Sequence, residues 1–153
     1  MKIGIPANLN FIDFEDQLKI KGKIINDLID IEDKINCVIA IYFKPNNLNE
    51  FKEIMLNSSI ISFGQKVKII NNITGIEKNV TGKISELSSI RNGIAHVRIE
   101  NTLELGLESR VVTELKVMNS SGILKTKNFT DLVKKYSELS NQVHSYLDDY
   151  LNN

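Results

Sequence analysis

FIDFEDQLKIKGKIINDLIDIEDKINCVIAIYF, residues 11–43, decides the fold class. Apolar side chains recur by threes and fours at Phe11, Phe14, Leu18, Ile25, Leu28, Ile35, Ile39 and Tyr42, with gaps at Lys21 and Glu32. A second set, Ile20, Ile24, Ile31, Val38 and Ile41, widens the stripe. This period belongs to one face of a helix, so a single long amphipathic helix is expected over about residues 12–43. Asp13, Glu15 and Asp16 put negative charge near its start, where the helix dipole favours it. Gly22 is the position at which it can bend. Pro45 ends it by disfavouring helical geometry at Lys44. Cys37, the only cysteine, falls inside the apolar run and is expected to be a buried free thiol.

Outward from this helix, the chain continues in the same idiom. Leu48, Phe51, Ile54 and Met55 predict a short helix over about 48–56. Phe63, Val67 and Ile70, flanked by Ile69 and Ile73, predict another over about 62–73, closed by Asn71, Asn72 and Gly75. A further helix is expected over about 80–97. Beyond Ile99 the pattern shifts to Val, Thr and Leu with partial alternation, and Asn119-Ser120-Ser121-Gly122 is turn chemistry. A small β-hairpin is therefore expected over about 110–127. Asn128 or Thr130 then caps a last helix over about 129–151. Its stripe, Phe129, Leu132, Tyr136, Leu139, Val143, Tyr146 and Tyr150, is spaced 3-4-3-4-3-4. Residues 1–10, with Gly4 and Pro6, read as an irregular lead-in and not as a signal peptide. The expected fold is mainly α: one domain, 1–153, an antiparallel helical bundle with a small β-hairpin before the C-terminal helix.

The totals narrow the function classes. With 19 basic and 19 acidic residues the net charge is zero, so any nucleic-acid binding must come from a local patch or one assembled across subunits. Apolar content of 42% and charged content of 25% are those of an ordinary globular protein. No apolar run approaches the ~20 residues of a membrane span. A single cysteine excludes an intrachain disulfide and suits a reducing cytoplasm. No metal-ligand set is visible, and His144, in the last helix, is expected to be a solvated or packing residue.

The chemical signature lies in Leu87–His96, LSSIRNGIAH. At about 100° per residue, Val80, Ile84, Leu87, Ile90, Ile94 and Val97 share the apolar sector of their helix. Ser85, Ser88, Ser89, Asn92 and His96 lie on the other side. Arg91 falls within the apolar sector, where a guanidinium must reach outward or meet a carboxylate such as Asp27, Asp30 or Asp33. Asn92 and His96 are neighbours on one face, whereas Arg91 and His96 are about 140° apart on a regular helix. Either Gly93 bends the turn and lets both reach one cleft, or two copies of the chain make the cleft between them.

Arg91-Asn92-Gly93-Ile94-Ala95-His96, an Arg-x4-His element in the Arg-Asn-x-x-Ala-His form, resembles the motif of HEPN domains, which are α-helical. Ser59–Ile69 is similar to the segment before that motif in relatives of the mannitol operon repressor, a HEPN-like branch, though Ile94 stands where that branch often has an aromatic residue. The resemblance covers about residues 12–97 well and the C-terminal third in outline. It implies a HEPN-like bundle and a metal-independent endoribonuclease, active as a homodimer, with no cofactor. RNA brings its own nucleophile, the 2′-hydroxyl. An imidazole titrates near pH 6.5 and can act as base or acid, which suits His96. A guanidinium gives phosphate oxygens a fixed charged fork, which suits Arg91, with Ser88 as a second substrate contact. Asn92 would orient His96 or donate to phosphate. The resemblance also admits a toxin held by a nucleotidyltransferase-like antitoxin. The alternative is a non-catalytic, repressor-like binding or regulatory module in which Arg91 is structural.

Overall fold

The computed structural model describes residues 12–96, 99–104, 110–118 and 122–152. The expected lead-in, Phe11, Val97 and most of the Asn119–Gly122 turn lie outside the described residues. In chain order come α1 (Phe14–Phe43), α2 (Leu48–Glu50) continued by a π-helical turn (Phe51–Met55), and α3 (Phe63–Ile70). Then follow α4 (Lys78–His96), β1 (Ile99–Glu104), β2 (Arg110–Met118), β3 (Leu124–Asn128) and α5 (Phe129–Asn152). The described chain is thus mainly helical with a three-stranded antiparallel sheet in the order β1-β2-β3.

The hairpin forms as β2 and β3, with Leu115 opposite Lys127 and Val117 opposite Lys125. What the sequence reading leaves out is β1. Glu100 and Asn101 are poor strand formers between Ile99 and Thr102, and they join a strand where β2 supplies a ladder partner. Glu100 lies opposite Glu114, a like-charge pairing, and Lys116 Nζ sits 3.5 Å from Glu100 Oε2.

Helix ends follow local chemistry. Lys44 takes a positive φ of 48° between α1 and Pro45. Asn47 Oδ1 accepts from Glu50 N at 3.1 Å to start α2. Ser62 N donates to Gln65 Oε1 at 2.8 Å at the head of α3. Asn128, not Thr130, caps α5, accepting from Asp131 N at 3.1 Å. In the first turns of α1, Glu15 lies 2.8 Å from Lys19 and raises the pKa of that exposed ammonium.

Along α1 the core face draws on both sets read from the sequence: Leu28, Ile35 and Ile39 of the first are buried, whereas Ile41 of the second is exposed. Phe14, at 73% exposure, Leu18, Ile25 and Tyr42 face solvent. The buried residues are Ile20, Ile24, Leu28, Ile31, Ile35, Val38 and Ile39. Both sets have helical spacing, and only the partners of the helix select among their members. On α5, Phe129, Tyr136 and Val143 are buried, with Val133, Ser140 and Leu147 completing the face, while Leu132, Leu139, Tyr146 and Tyr150 are half-buried.

The chain divides into two compact units, Met1–Asn26 with Ser88–Glu138, and Asp27–Leu87 with Leu139–Asn153. In the first, Ile24, Ile90, Ile94, Leu115, Phe129 and Val133 are buried, and Tyr136 donates its hydroxyl to the Ile24 carbonyl at 3.2 Å. Ile12 N donates to Thr113 Oγ1 at 3.3 Å, tying the start of the described chain to the sheet. In the second, Ile31, Ile35, Ile70, Ile84, Leu87 and Leu147 are buried. Each such aliphatic side chain contributes about 1.5–3 kcal/mol by leaving water.

Candidate functional site

The residues that carry the chemical signature all lie on the C-terminal half of α4, in the first unit. This helix carries its apolar residues as the wheel predicts: Val80, Ile84, Leu87, Ile90 and Ile94 are buried. On the opposite side Asn92 and His96 are exposed and Ser88 is half-buried. Ser88, Asn92 and His96 follow each other at intervals of four and so line one stripe.

Gly93 does not break the helix. The α-helix continues through it to His96, and its φ is not positive. A Cβ built on Gly93 would stand 3.6 Å from Val117 Cγ2, an ordinary contact with the sheet. The glycine therefore occupies a packing position beneath β2. With the helix regular, Arg91 and His96 stay about 140° apart around its axis. Of the two ways in which they can meet in one cleft, the bend is not realised within the chain.

Arg91 is half-buried, in keeping with its place beside the apolar sector. Its Nη1 donates to Asn92 Oδ1 at 2.8 Å. Its Nε is buried with no hydrogen-bond partner among the described residues. A buried donor left without an acceptor costs about 1–3 kcal/mol. Asn92 Oδ1 is thereby committed to Arg91, and the amide Nδ2 is the group it has left to offer a substrate or His96.

Asp27, one of the acids considered for Arg91, is engaged in the second unit. It is buried at 2% exposure, accepts from Ser140 Oγ at 2.6 Å on Oδ2, and lies 3.1 Å from His144 Nε2 on Oδ1. His144 is therefore neither solvated nor a mere packing residue. The carboxyl group stands between serine and histidine, and the serine proton points to Asp27. The imidazole is not placed as base for the hydroxyl, so the trio is not a nucleophile system. The sequence shows only its α5 half: Ser140 interrupts an apolar stripe between Tyr136 and Val143, with His144 one turn on, and nothing there points to Asp27.

A second polar cluster also escaped the sequence reading. Lys66 is fully buried, its Nζ 2.5 Å from Glu32 Oε1, which also accepts from Ser58 Oγ at 2.6 Å. Cys37, expected to be buried, is half-buried, and Lys52 Nζ donates to its Sγ at 3.2 Å. Among the described residues no three His, Cys, Asp or Glu side chains converge as metal ligands, and no helix is long and apolar enough to cross a membrane. Compared with protein-family models, with curated proteins and with solved structures, the chain matches none.

Proposed function

We propose that this protein is a HEPN-like, metal-independent endoribonuclease of the cytoplasm that acts as a homodimer. The observation that carries the reading is the Arg91-Asn92-x-x-x-His96 element on an unbroken helix, with Asn92 and His96 exposed and Arg91 half-buried beside them. The unbroken helix keeps Arg91 and His96 of one chain on different sides, which supports a cleft that takes them from two copies of the chain around a two-fold axis. His96 takes the proton of the RNA 2′-hydroxyl as that oxygen attacks phosphorus and, now as the acid, gives it to the departing 5′-oxygen as the P–O5′ bond breaks. Arg91 neutralises the phosphate, and Asn92 Nδ2 and Ser88 Oγ hold it in register. The products are a 2′,3′-cyclic phosphate and a 5′-hydroxyl. A toxin restrained by a nucleotidyltransferase-like antitoxin is the setting that suits such an enzyme.

The test is cleavage of mixed RNA in EDTA. Wild type should produce cyclic-phosphate ends. His96→Ala should lose about 10²–10⁴-fold in rate, and Arg91→Ala about 10²–10³-fold, with unchanged circular dichroism and oligomeric state. A mixture of the two inactive variants should regain activity, because a heterodimer holds one intact trans pair. Failure of wild type to cut any RNA at high concentration overturns the reading.

One observation favours a second reading, a non-catalytic regulatory module. The Arg91 guanidinium is already bonded to Asn92 and half-buried, as a structural residue would be. In that case Arg91→Ala lowers the melting temperature, and no RNA is cut by the unmodified chain.

A further inference from the structure

Two recesses in the second unit share one side chain, Lys68. The first, of about 500 Å³, lies at the end of α1 and is lined by Tyr42, Phe43, Lys68, Ile69 and Ile73. The second, of about 270 Å³, lies between α3 and α4, where Lys68 and Lys78 face Asn71, Thr81 and Ser85.

The two recesses differ in chemistry. Tyr42 and Phe43 form an edge-to-face pair, centroids 5.2 Å apart and planes at 86°, at 45% and 58% exposure. Lys44 and Pro45 turn the chain away directly after them. The other recess is cationic and polar. No carboxylate lines it, and neither Lys68 nor Lys78 forms an ion pair with a described residue. Thr81 Oγ1 lies 2.8 Å from Asn71 Oδ1 and 2.9 Å from the Lys78 carbonyl oxygen, so its proton is committed to acceptors. Asn71 is left with its Nδ2 donors. On a chain of zero net charge, this is a local surplus of positive charge and donors beside an exposed aromatic pair.

We propose that this surface binds single-stranded nucleic acid, with a base against Tyr42 and Phe43 and successive backbone phosphates at Lys68 and Lys78. Aromatic faces stack any base, and ammonium groups track the backbone, which is how strand-binding surfaces without sequence preference are built. Two cations around two recesses that share Lys68 suit neighbouring phosphates of a strand. A duplex hides its base faces and is excluded. The inference stands apart from the roles of Arg91 and His96, because DNA, which lacks the 2′-hydroxyl and cannot be cut by their chemistry, tests it.

The experiment is fluorescence anisotropy of the full chain with a labelled thymidine oligonucleotide over a salt series. Two phosphate contacts on a single strand predict a slope of log K against log salt of about −1.4, and Lys68→Met or Lys78→Met should each reduce it by about 0.7. Tyr42→Ala and Phe43→Ala should weaken binding by about 5- to 150-fold and leave the slope unchanged. Lys125→Met, an equal loss of charge on β3, should change nothing. All five positions are exposed, so the fold is retained, with circular dichroism as the control. The proposal is overturned if no saturable binding occurs at low salt, or if Lys125→Met weakens binding as much as Lys68→Met. Binding of a mononucleotide or a duplex as tightly as the single strand overturns it too.

Discussion

The Glu32–Lys66 pair gives the sharpest stability prediction. Lys66 Nζ is 2.5 Å from Glu32 Oε1, with the lysine side chain at 0% exposure and the glutamate at 17%. The asymmetry sets the expected order of damage. Replacing Glu32 by Leu removes the carboxylate and leaves an ammonium that water cannot reach, a loss of about 3–5 kcal/mol. Replacing Lys66 by Met fills the same volume with an apolar chain and leaves a carboxylate that is partly solvated and still accepts from Ser58 Oγ at 2.6 Å. That loss should be smaller, about 1–3 kcal/mol, the cost of a weakened polar group near the surface. The double variant removes both charges and should return to within about 1 kcal/mol of wild type or exceed it. For a chain of 153 residues, Glu32→Leu should lower the melting temperature by about 6–20 °C. Urea denaturation of wild type, both single variants and the double closes a mutant cycle whose coupling energy should exceed about 2 kcal/mol. Single variants of equal stability, or a double variant whose loss is the sum of the two, would refute the reasoning.

Two further outcomes follow from the same structure. Ser140→Ala, which takes a donor from the buried Asp27 carboxyl group at 2.6 Å, should cost about 1–3 kcal/mol in urea denaturation; an unchanged midpoint would mean that this hydrogen bond does not hold α5 to α1. Gly93→Ala places a methyl at an ordinary 3.6 Å from Val117 in a helix interior, so it should be neutral or stabilise by up to about 1 kcal/mol. It should also leave RNA cleavage intact, whereas a clear loss of activity with the fold preserved would mean that the cleft needs α4 to bend at this glycine.

Much of the fold was legible in the residue order because helices and turns are local. The stripe of α5, the apolar sector of α4, Pro45 after α1 and the Val-rich β2 each announce their element within a few residues. β1 was not legible, because Glu100 and Asn101 acquire strand geometry from the ladder with β2 and not from their own preference. The candidate site divides in the same way. Sequence spacing alone put Asn92 and His96 on one face and Arg91 among apolar neighbours. It left open whether Gly93 bends the helix, because glycine is compatible with either state. The helix running unbroken to His96, with no positive φ at Gly93, settled that the glycine lies within a regular helix.

The sequence by itself therefore determined the helical period, the order of the helices and of the β2–β3 hairpin, and which residues carry reactive groups, since these depend on neighbours along the chain. Tertiary structure alone decided which part of the wide α1 stripe is core, because both sets have helical spacing and only packing partners select among their members. It alone joined Asp27 to Ser140 and His144, and Glu32 to Lys66. A buried polar group finds its partner wherever folding brings a donor within reach, and residues 113 and 34 positions apart in the chain carry no local sign of meeting.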